Sequence, residues 1–358
     1  MYLTCYNKRG QLQEAFIMKH CKLLGIDLAK SVFQLCSMDQ NNHVTTNKKV
    51  RRNQLLKTVL NIKPDTIFME SCYSANYWGR VFQSHGFKVS LIPPQHVKPF
   101  VKGNKNDHND ALAICEASQR PGIHFVSVKT QDQQDLQALH NIRQRRVRDR
   151  TSLVNQINGL LAEQGILIKK GHKQFPKTLP VIIEDITNQI SFPLREALNE
   201  LLEEYIFISS KINKTEMQIQ HLSDIYCDYQ RLMEIPGIGF LTASAILSQV
   251  GNAREFRNAR GMAAWLGLTP KHHASGNKIK NQGISKKGNK YIRTLLVHGA
   301  RSVVCIYKNK QEPLKIFADR INNKHGIHKA TVAVAHKMAR IVWAVLAKDQ
   351  PYNPSVIK

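Results

Sequence analysis

Five residues carry the chemistry this chain offers. Asp27 closes the apolar stretch KLLGIDLAK (residues 22–30), Glu70 closes DTIFME, and Asp107 and Asp110 stand three apart in KNDHNDALAIC. Carboxylates gathered in one place repel each other unless a cation lies between them, so four acids at element ends in a basic chain point to a divalent-metal site. Mg²⁺ is the expected ion, because it takes oxygen ligands and keeps waters; two such ions about 4 Å apart can clamp the attacking and leaving oxygens of a phosphodiester. Asp107 and Asp110 also fit a second explanation, since acids at a helix start complement the macrodipole and cap the first turn. The fifth residue is Ser275, in a glycine- and lysine-rich segment beside Lys271, His272, His273, Lys278 and Lys280, surroundings that suit a hydroxyl meeting phosphate. Ser285 competes as nucleophile, although its place before a helix start is explained by capping alone.

The elements that must position these groups follow from hydrophobic periodicity. KLLGIDLAK, SVFQLCSM and HVTTNKKV read as a three-stranded antiparallel meander with an Asn-Asn turn between the last two. A helix over 53–61, the strand DTIFME, a helix over 75–85, the strand KVSLI (88–92) and a helix opening at Asp107 complete a β-β-β-α-β-α-β-α order. Beyond it, apolar residues recur at helical spacing over 131–164 and again over 193–229, separated by a connector broken by Gly165, Gly171, Pro176 and Pro180. Two such helices form either a coiled-coil arm that dimerises or an intramolecular hairpin. The remaining residues read as mostly helical, with Ser275 in a flexible loop, His298 as a buried polar residue or a group supporting the site, His336 as structural and a final helix over 329–348. The expected fold class is therefore α/β followed by all-α. Its divisions are an extension at 1–21, an α/β domain at 22–125, a helical arm at 126–229 and a helical domain at 230–358.

Charge names the class of partner. Lys and Arg number 52 against 26 acidic residues, a formal net charge of +26, which is the footprint of a nucleic-acid binder. Arg143, Arg145, Arg146, Arg148 and Arg150 crowd one helix with Asp149 as the only local countercharge, and this predicts contacts to a phosphate backbone. Pro236-Gly237-Ile238-Gly239 between two helical patterns reads as a helix-hairpin-helix turn, in which Gly237 and Gly239 let backbone approach phosphate. Lys271, Lys278, Lys280, Lys286, Lys287 and Arg293 extend the basic surface around the serine. Seven scattered cysteines, never spaced CxxC, argue against a zinc site or disulfide framework and for a reducing, cytoplasmic setting. No 18-residue apolar run points to a membrane span.

The β-β-β-α-β-α-β-α order with its acids resembles the RNase H-like fold of the RuvC type; the opening GIDLAKS alone also fits an actin-like ATPase strand. GIDLAK, MESCYSANYW, KNDHNDA, IPGIG, LGLTP, SG and GISKKGNKYIRTLLVHGAR, in that order, resemble the DEDD transposases of the IS-one-ten family, relatives of the Piv DNA invertase. The resemblance implies that Asp27, Glu70, Asp107 and Asp110 hold Mg²⁺ and that Ser275 attacks DNA. It also implies a structured guide RNA that pairs with donor and target DNA, and a tetrameric synapse that joins the acids of one protomer to the serine of another. Recombination would pass through a Holliday junction. Tyr73 departs from the family pattern, which has glycine there. The competing activities are a RuvC-like nuclease or junction resolvase that uses water, and a basic binding protein without catalysis.

Overall fold

The computed structural model describes residues 5–6, 12–13, 21–101, 106–168, 174–275 and 278–356. The chain divides into two compact units, Met1–Thr130 and Gln131–Lys358.

In the first unit, β1 (Cys5–Tyr6) and β2 (Leu12–Gln13) pair with each other apart from the main sheet. The main sheet begins with β3 (Leu23–Asp27), β4 (Val32–Met38) and β5 (Val44–Arg51), an antiparallel meander. Its second turn is made at Asn42, whose φ of 65° is a conformation asparagine tolerates. Next come α1 (Leu55–Ile62), β6 (Thr66–Glu70), α2 (Ala75–Ser84), β7 (Lys88–Ile92), α3 (Pro94–Val97) and α4 (Asp107–Ser118). The strand order is β5-β4-β3-β6-β7, with β6 parallel to both β3 and β7. The expected element order is therefore found, with small shifts at element ends and the short α3 added between β7 and α4.

Strand alternation gives this sheet two different faces. Leu24, Ile26, Ile67 and Met69 bury against Leu55 and Val59 of α1 and Trp78 and Phe82 of α2. Leu23, Cys36 and Met38 bury on the opposite face with Ala111 and Cys115 of α4. Asp27 and Glu70 have the parity of Leu23 and Phe68, so both belong to the α4 face.

The second unit contains α5 (Gln131–Ala162), α6 (Phe175–Glu184) and α7 (Phe192–Ser223). These are followed by α8 (Cys227–Met233), α9 (Phe240–Gln249), α10 (Ala259–Trp265), β8 (Pro270–Ser275) and β9 (Lys278–Ile284). Last come α11 (Lys290–Cys305), α12 (Pro313–His325) and α13 (Ile327–Lys348). Helices α5 and α7 pack antiparallel within one chain: Arg143 meets Glu216, Arg146 meets Lys211, and Leu153 and Tyr205 share a core. Within this chain the two helices form an intramolecular hairpin.

Four expectations are corrected by the structure. The connector over 165–192 contains α6, whose Phe175, Leu179 and Ile183 join the hairpin core. The second long helix ends at Ser223, and the next turns form the separate α8. Ser275 ends a strand of a two-stranded antiparallel hairpin, paired with Lys278, where a loop was expected. His298 is exposed on α11, not buried.

Helices α9, α11 and α13 enclose the second large core, with Ala243, Ile246, Leu296, Val303, Met338 and Val342 fully buried. By length and composition α13 could cross a membrane, yet its apolar face, from Ala330 to Val345, is the centre of this core.

Candidate active site

Asp27 and Glu70 end adjacent parallel strands at their C-terminal edge, the place where open α/β sheets collect functional groups. Helix α4 supplies the remaining acids from its first turn. Its cap is neither acid: Asn106 accepts a hydrogen bond from the His108 amide at 3.2 Å, which leaves Asp107 and Asp110 free of that task. Ligand oxygens of Asp27, Asp107 and Asp110 all lie within 4.8 Å of one another. Glu70 stands close by, its carboxyl held above the usual range by burial and by the charge of Asp110. The Cys72 thiol, just beyond β6, is pushed up to about 11 by burial and by Glu70 and Asp27.

The sheet holds this cluster together through neighbours that sequence reasoning did not single out. Gly25 is two residues before Asp27 on the same face, and a Cβ there would sit 2.5 Å from Cys115 Sγ and 2.8 Å from the Ala111 carbonyl oxygen. Only a glycine lets α4 lie this close to β3, and that closeness brings Asp110 to Asp27. Asn47 donates to the His108 carbonyl at 3.1 Å and Lys49 pairs with Asp107 at 3.1 Å, so β5 braces the same turn. Gln34, paired with Asp27 across the β3–β4 ladder, donates to Asn47 at 2.5 Å while its buried Oε1 has no partner among the described residues. The readable signal is Gln34 itself, a long polar residue at an inward strand position.

An all-carboxylate donor set suits a hard divalent cation. The repulsion felt by Glu70 and the unsatisfied Gln34 acceptor both fit such an ion with bound water. Tyr73, 82% exposed, has no left-handed backbone; that conformation falls on Ser74 (φ 66°), so nothing at position 73 demands glycine.

Family models match two parts of the chain, a DEDD-type transposase model over residues 24–165 and "Transposase IS116/IS110/IS902 family" over 229–314. The transposase for insertion sequence element IS1111A from Coxiella burnetii is 42% identical over 336 residues, covering 94% of this chain and 92% of the relative. The chain belongs to the IS110 family of transposases. A probable family 20 transposase of Pseudomonas aeruginosa is 40% identical over 332 residues, 92% of this chain and 98% of the relative. The pilin gene-inverting protein of Moraxella bovis is 24% identical over 347 residues, 93% and 98% of the two chains.

The other predicted site residues of this transposase lie in its second unit. Ser275 is the last residue of β8. Its side chain, like those of Lys278 and Lys280, lies outside the described residues. Lys271, Lys286 and Lys287 are exposed. Arg293 donates to the Leu266 carbonyl at 2.9 Å and so braces the chain after α10. The cap of α11 is Asn289, which accepts from the Ile292 amide at 3.0 Å. Capping therefore does not explain Ser285, whose amide instead donates to the Thr269 carbonyl at 2.8 Å.

The arginines of α5 divide. Arg143 pairs with Glu216 at 2.7 Å, and Arg146 donates to the Lys211 carbonyl and the Thr215 hydroxyl, so both bind the hairpin internally. Arg145 meets Asp149 on the surface at 3.1 Å, Arg148 is exposed, and Arg150 has a buried Nε without a hydrogen bond among the described residues. Gly237, at φ 85°, packs on the Gly299 backbone of α11, where a Cβ would lie 2.7 Å from the Gly299 carbonyl. Its close backbone approach is to another helix. Gly239 faces open space at the start of α9 and is the glycine of this turn that stays accessible.

Proposed function

We propose that this chain is an insertion-sequence transposase that cuts and rejoins DNA by transesterification, with Asp27, Glu70, Asp107 and Asp110 holding Mg²⁺ and Ser275 acting as the nucleophile. The observation that carries the reading is the convergence of Asp27, Asp107 and Asp110 oxygens within 4.8 Å, in a chain of net charge +26. When bound there, the cation supplies charge neutralisation at the phosphodiester and favours the ionised form of the attacking hydroxyl.

The residues of the chain do the rest. Gly25, Asn47 and Lys49 keep the four acids together, and the basic surface holds the phosphate backbone. The Ser275 oxygen forms a bond to phosphorus as one strand P–O bond breaks, and the serine proton ends on the departing strand hydroxyl. Attack by another strand hydroxyl reverses the exchange and restores the serine, so the phosphodiester energy is kept and no nucleotide is consumed. The first unit is read as an RNase H-like domain of the RuvC type. The α5–α7 hairpin is read as its arm, and the turn before α9 as a helix-hairpin-helix contact to DNA. A guide RNA selects donor and target, and homo-oligomers bring serine and acids of different protomers to one strand.

Asp110→Ala and Ser275→Ala are each expected to abolish strand exchange while DNA binding persists, and a mixture of the two variants recovers activity if the groups act in trans. A protein–DNA adduct should be trapped under denaturing conditions from wild type and not from Ser275→Ala. Strand cleavage by Ser275→Ala with free 5′-phosphate ends would instead identify a nuclease that uses water. Sequencing RNA that co-purifies with the chain tests the guide.

A further inference from the structure

Helices α10, α12 and α13 gather a second cationic site that none of the motifs above includes. Phe317 of α12 has two cations against one ring: Lys337 Nζ of α13 at 4.3 Å from the centroid and Arg320 Cζ at 5.5 Å. Arg340 lies three residues beyond Lys337 on the same face of α13. Burial, followed by the charges of Arg340 and of Arg260 from α10, holds His336 below its ordinary pKa. Arg260, Arg320 and Arg340 are exposed, and Lys337 is half-buried.

The fold gains little from this arrangement. One cation on an aromatic face is favourable, but a second on the same ring adds like-charge repulsion. Among the described residues no ion pair engages Arg260, Arg320 or Arg340. The adjacent acid, Asp319, is taken by Lys315 at 2.8 Å. Phe317 spaces the Arg320 guanidinium from the Lys337 ammonium, and Arg340 acts on Lys337 from the next turn of α13. Together the cations offer a polyanion several donors, which phosphate accepts in the forked geometry arginine favours.

We propose that Arg260, Arg320, Lys337 and Arg340 form a docking surface for the sugar-phosphate backbone of duplex DNA. The proposal rests on the DNA-processing reading above for its choice of DNA over other polyanions. The site is sequence-independent: it grips and orients the duplex on the helical unit that carries the Ser275 hairpin.

The test uses full-length protein and a fluorescein-labelled 40-base-pair duplex of mixed sequence, with binding followed by anisotropy between 50 and 300 mM NaCl. Each phosphate that a substituted side chain no longer neutralises lowers the slope of log K against log salt by about 0.9. The variant Arg260→Gln/Arg320→Gln/Arg340→Gln, which frees three phosphates, is expected to reduce the slope by roughly 2 to 3 and affinity at 150 mM salt by roughly a hundredfold. Lys337→Gln, with Phe317 left in place, should show a smaller loss of the same kind. Unchanged slope and affinity in variants that melt like wild type would overturn the proposal. So would a loss confined to an RNA hairpin of equal charge, with the DNA isotherm unmoved. Strand exchange is scored separately: if wild type binds duplex but never recombines while the triple variant loses affinity, the recombinase reading fails and this surface stands.

Discussion

His140 gives the sharpest physical test of the second unit. It is buried on α5, with Nε2 3.0 Å from Ser244 Oγ of α9 and Nδ1 3.0 Å from Tyr291 Oη of α11. Ser244 already donates to the Phe240 carbonyl at 2.6 Å, so its oxygen accepts from His140 Nε2–H and Nδ1 is left to accept from Tyr291. The neutral tautomer thus satisfies both ring nitrogens. Protonation would place a hydrogen against the Tyr291 hydroxyl and a charge near Arg143, and burial with that charge lowers the His140 pKa from 6.5 to about 4.

The sign follows from linkage. Below pH 6.5 the unfolded chain binds a proton at His140 that the folded chain refuses, so stability is full above that pH and is lost as pH falls toward 4. A shift of this size corresponds to about 3 kcal/mol in all, of which about 2 kcal/mol is lost between pH 7.5 and pH 5. Urea unfolding of wild type and His140→Gln at both pH values, followed by tryptophan fluorescence, isolates the residue from the other histidines. The wild type should lose about 2 kcal/mol more than the variant over this interval. Parallel losses, or a His140 resonance titrating near pH 6.5 by NMR, would refute the buried neutral tautomer and the network built on it.

Gly25→Ala should push α4 away from β3, costing roughly 1 to 3 kcal/mol of stability and abolishing strand cleavage, as thermal melts and a cleavage assay would show. Asp110→Asn should raise the melting temperature of metal-free protein by removing repulsion at Glu70 and should reduce the further rise on adding MgCl₂; a larger rise than in wild type would contradict the shared site. Asn289→Ala should cost about 1 kcal/mol through loss of the α11 cap, measured by denaturant unfolding, whereas Ser285→Ala should cost far less. Arg195→Ala should loosen α6, since its guanidinium collects the carbonyls of Ile183, Asp185, Asn188 and Ile190; hydrogen exchange over 175–190 would rise.

Asp27 and Glu70 stand out because each ends an apolar run: β3 and β4 are buried along nearly their whole length, and β6 alternates until its final carboxylate. Helix α6 is hidden by its prolines. Phe175, Leu179 and Ile183 repeat every four residues, but Pro180 lies inside that span, and Pro176 near the helix start lacks an amide the helix would leave unpaired in any case. The β8–β9 hairpin is hidden by its polarity, since HHAS and KIKN offer too little apolar alternation to set a register. Arg143 misleads for a different reason: its countercharge, Glu216, lies 73 residues away, and only the antiparallel return of α7 brings the two together.

The Arg143–Glu216 pair is one link of a longer polar chain. Glu216 holds Arg143, whose charge stands beside Tyr291, and Tyr291 and Ser244 fix His140 between them. One polar chain therefore crosses α7, α5, α11 and α9, and three of its members, Glu216, Arg143 and His140, sit on the long hairpin. In a partly buried chain of this kind, loss of one member costs more than its own bond because its neighbours are left partly unsatisfied. Removing Arg143 leaves Glu216 without its cation and Tyr291 without a donor, so Arg143→Gln should destabilise the unit by roughly 2 to 4 kcal/mol while leaving the salt slope of DNA binding unchanged. A slope that falls by about 0.9 in that variant, with stability intact, would restore Arg143 to the DNA surface and break the chain at its second link.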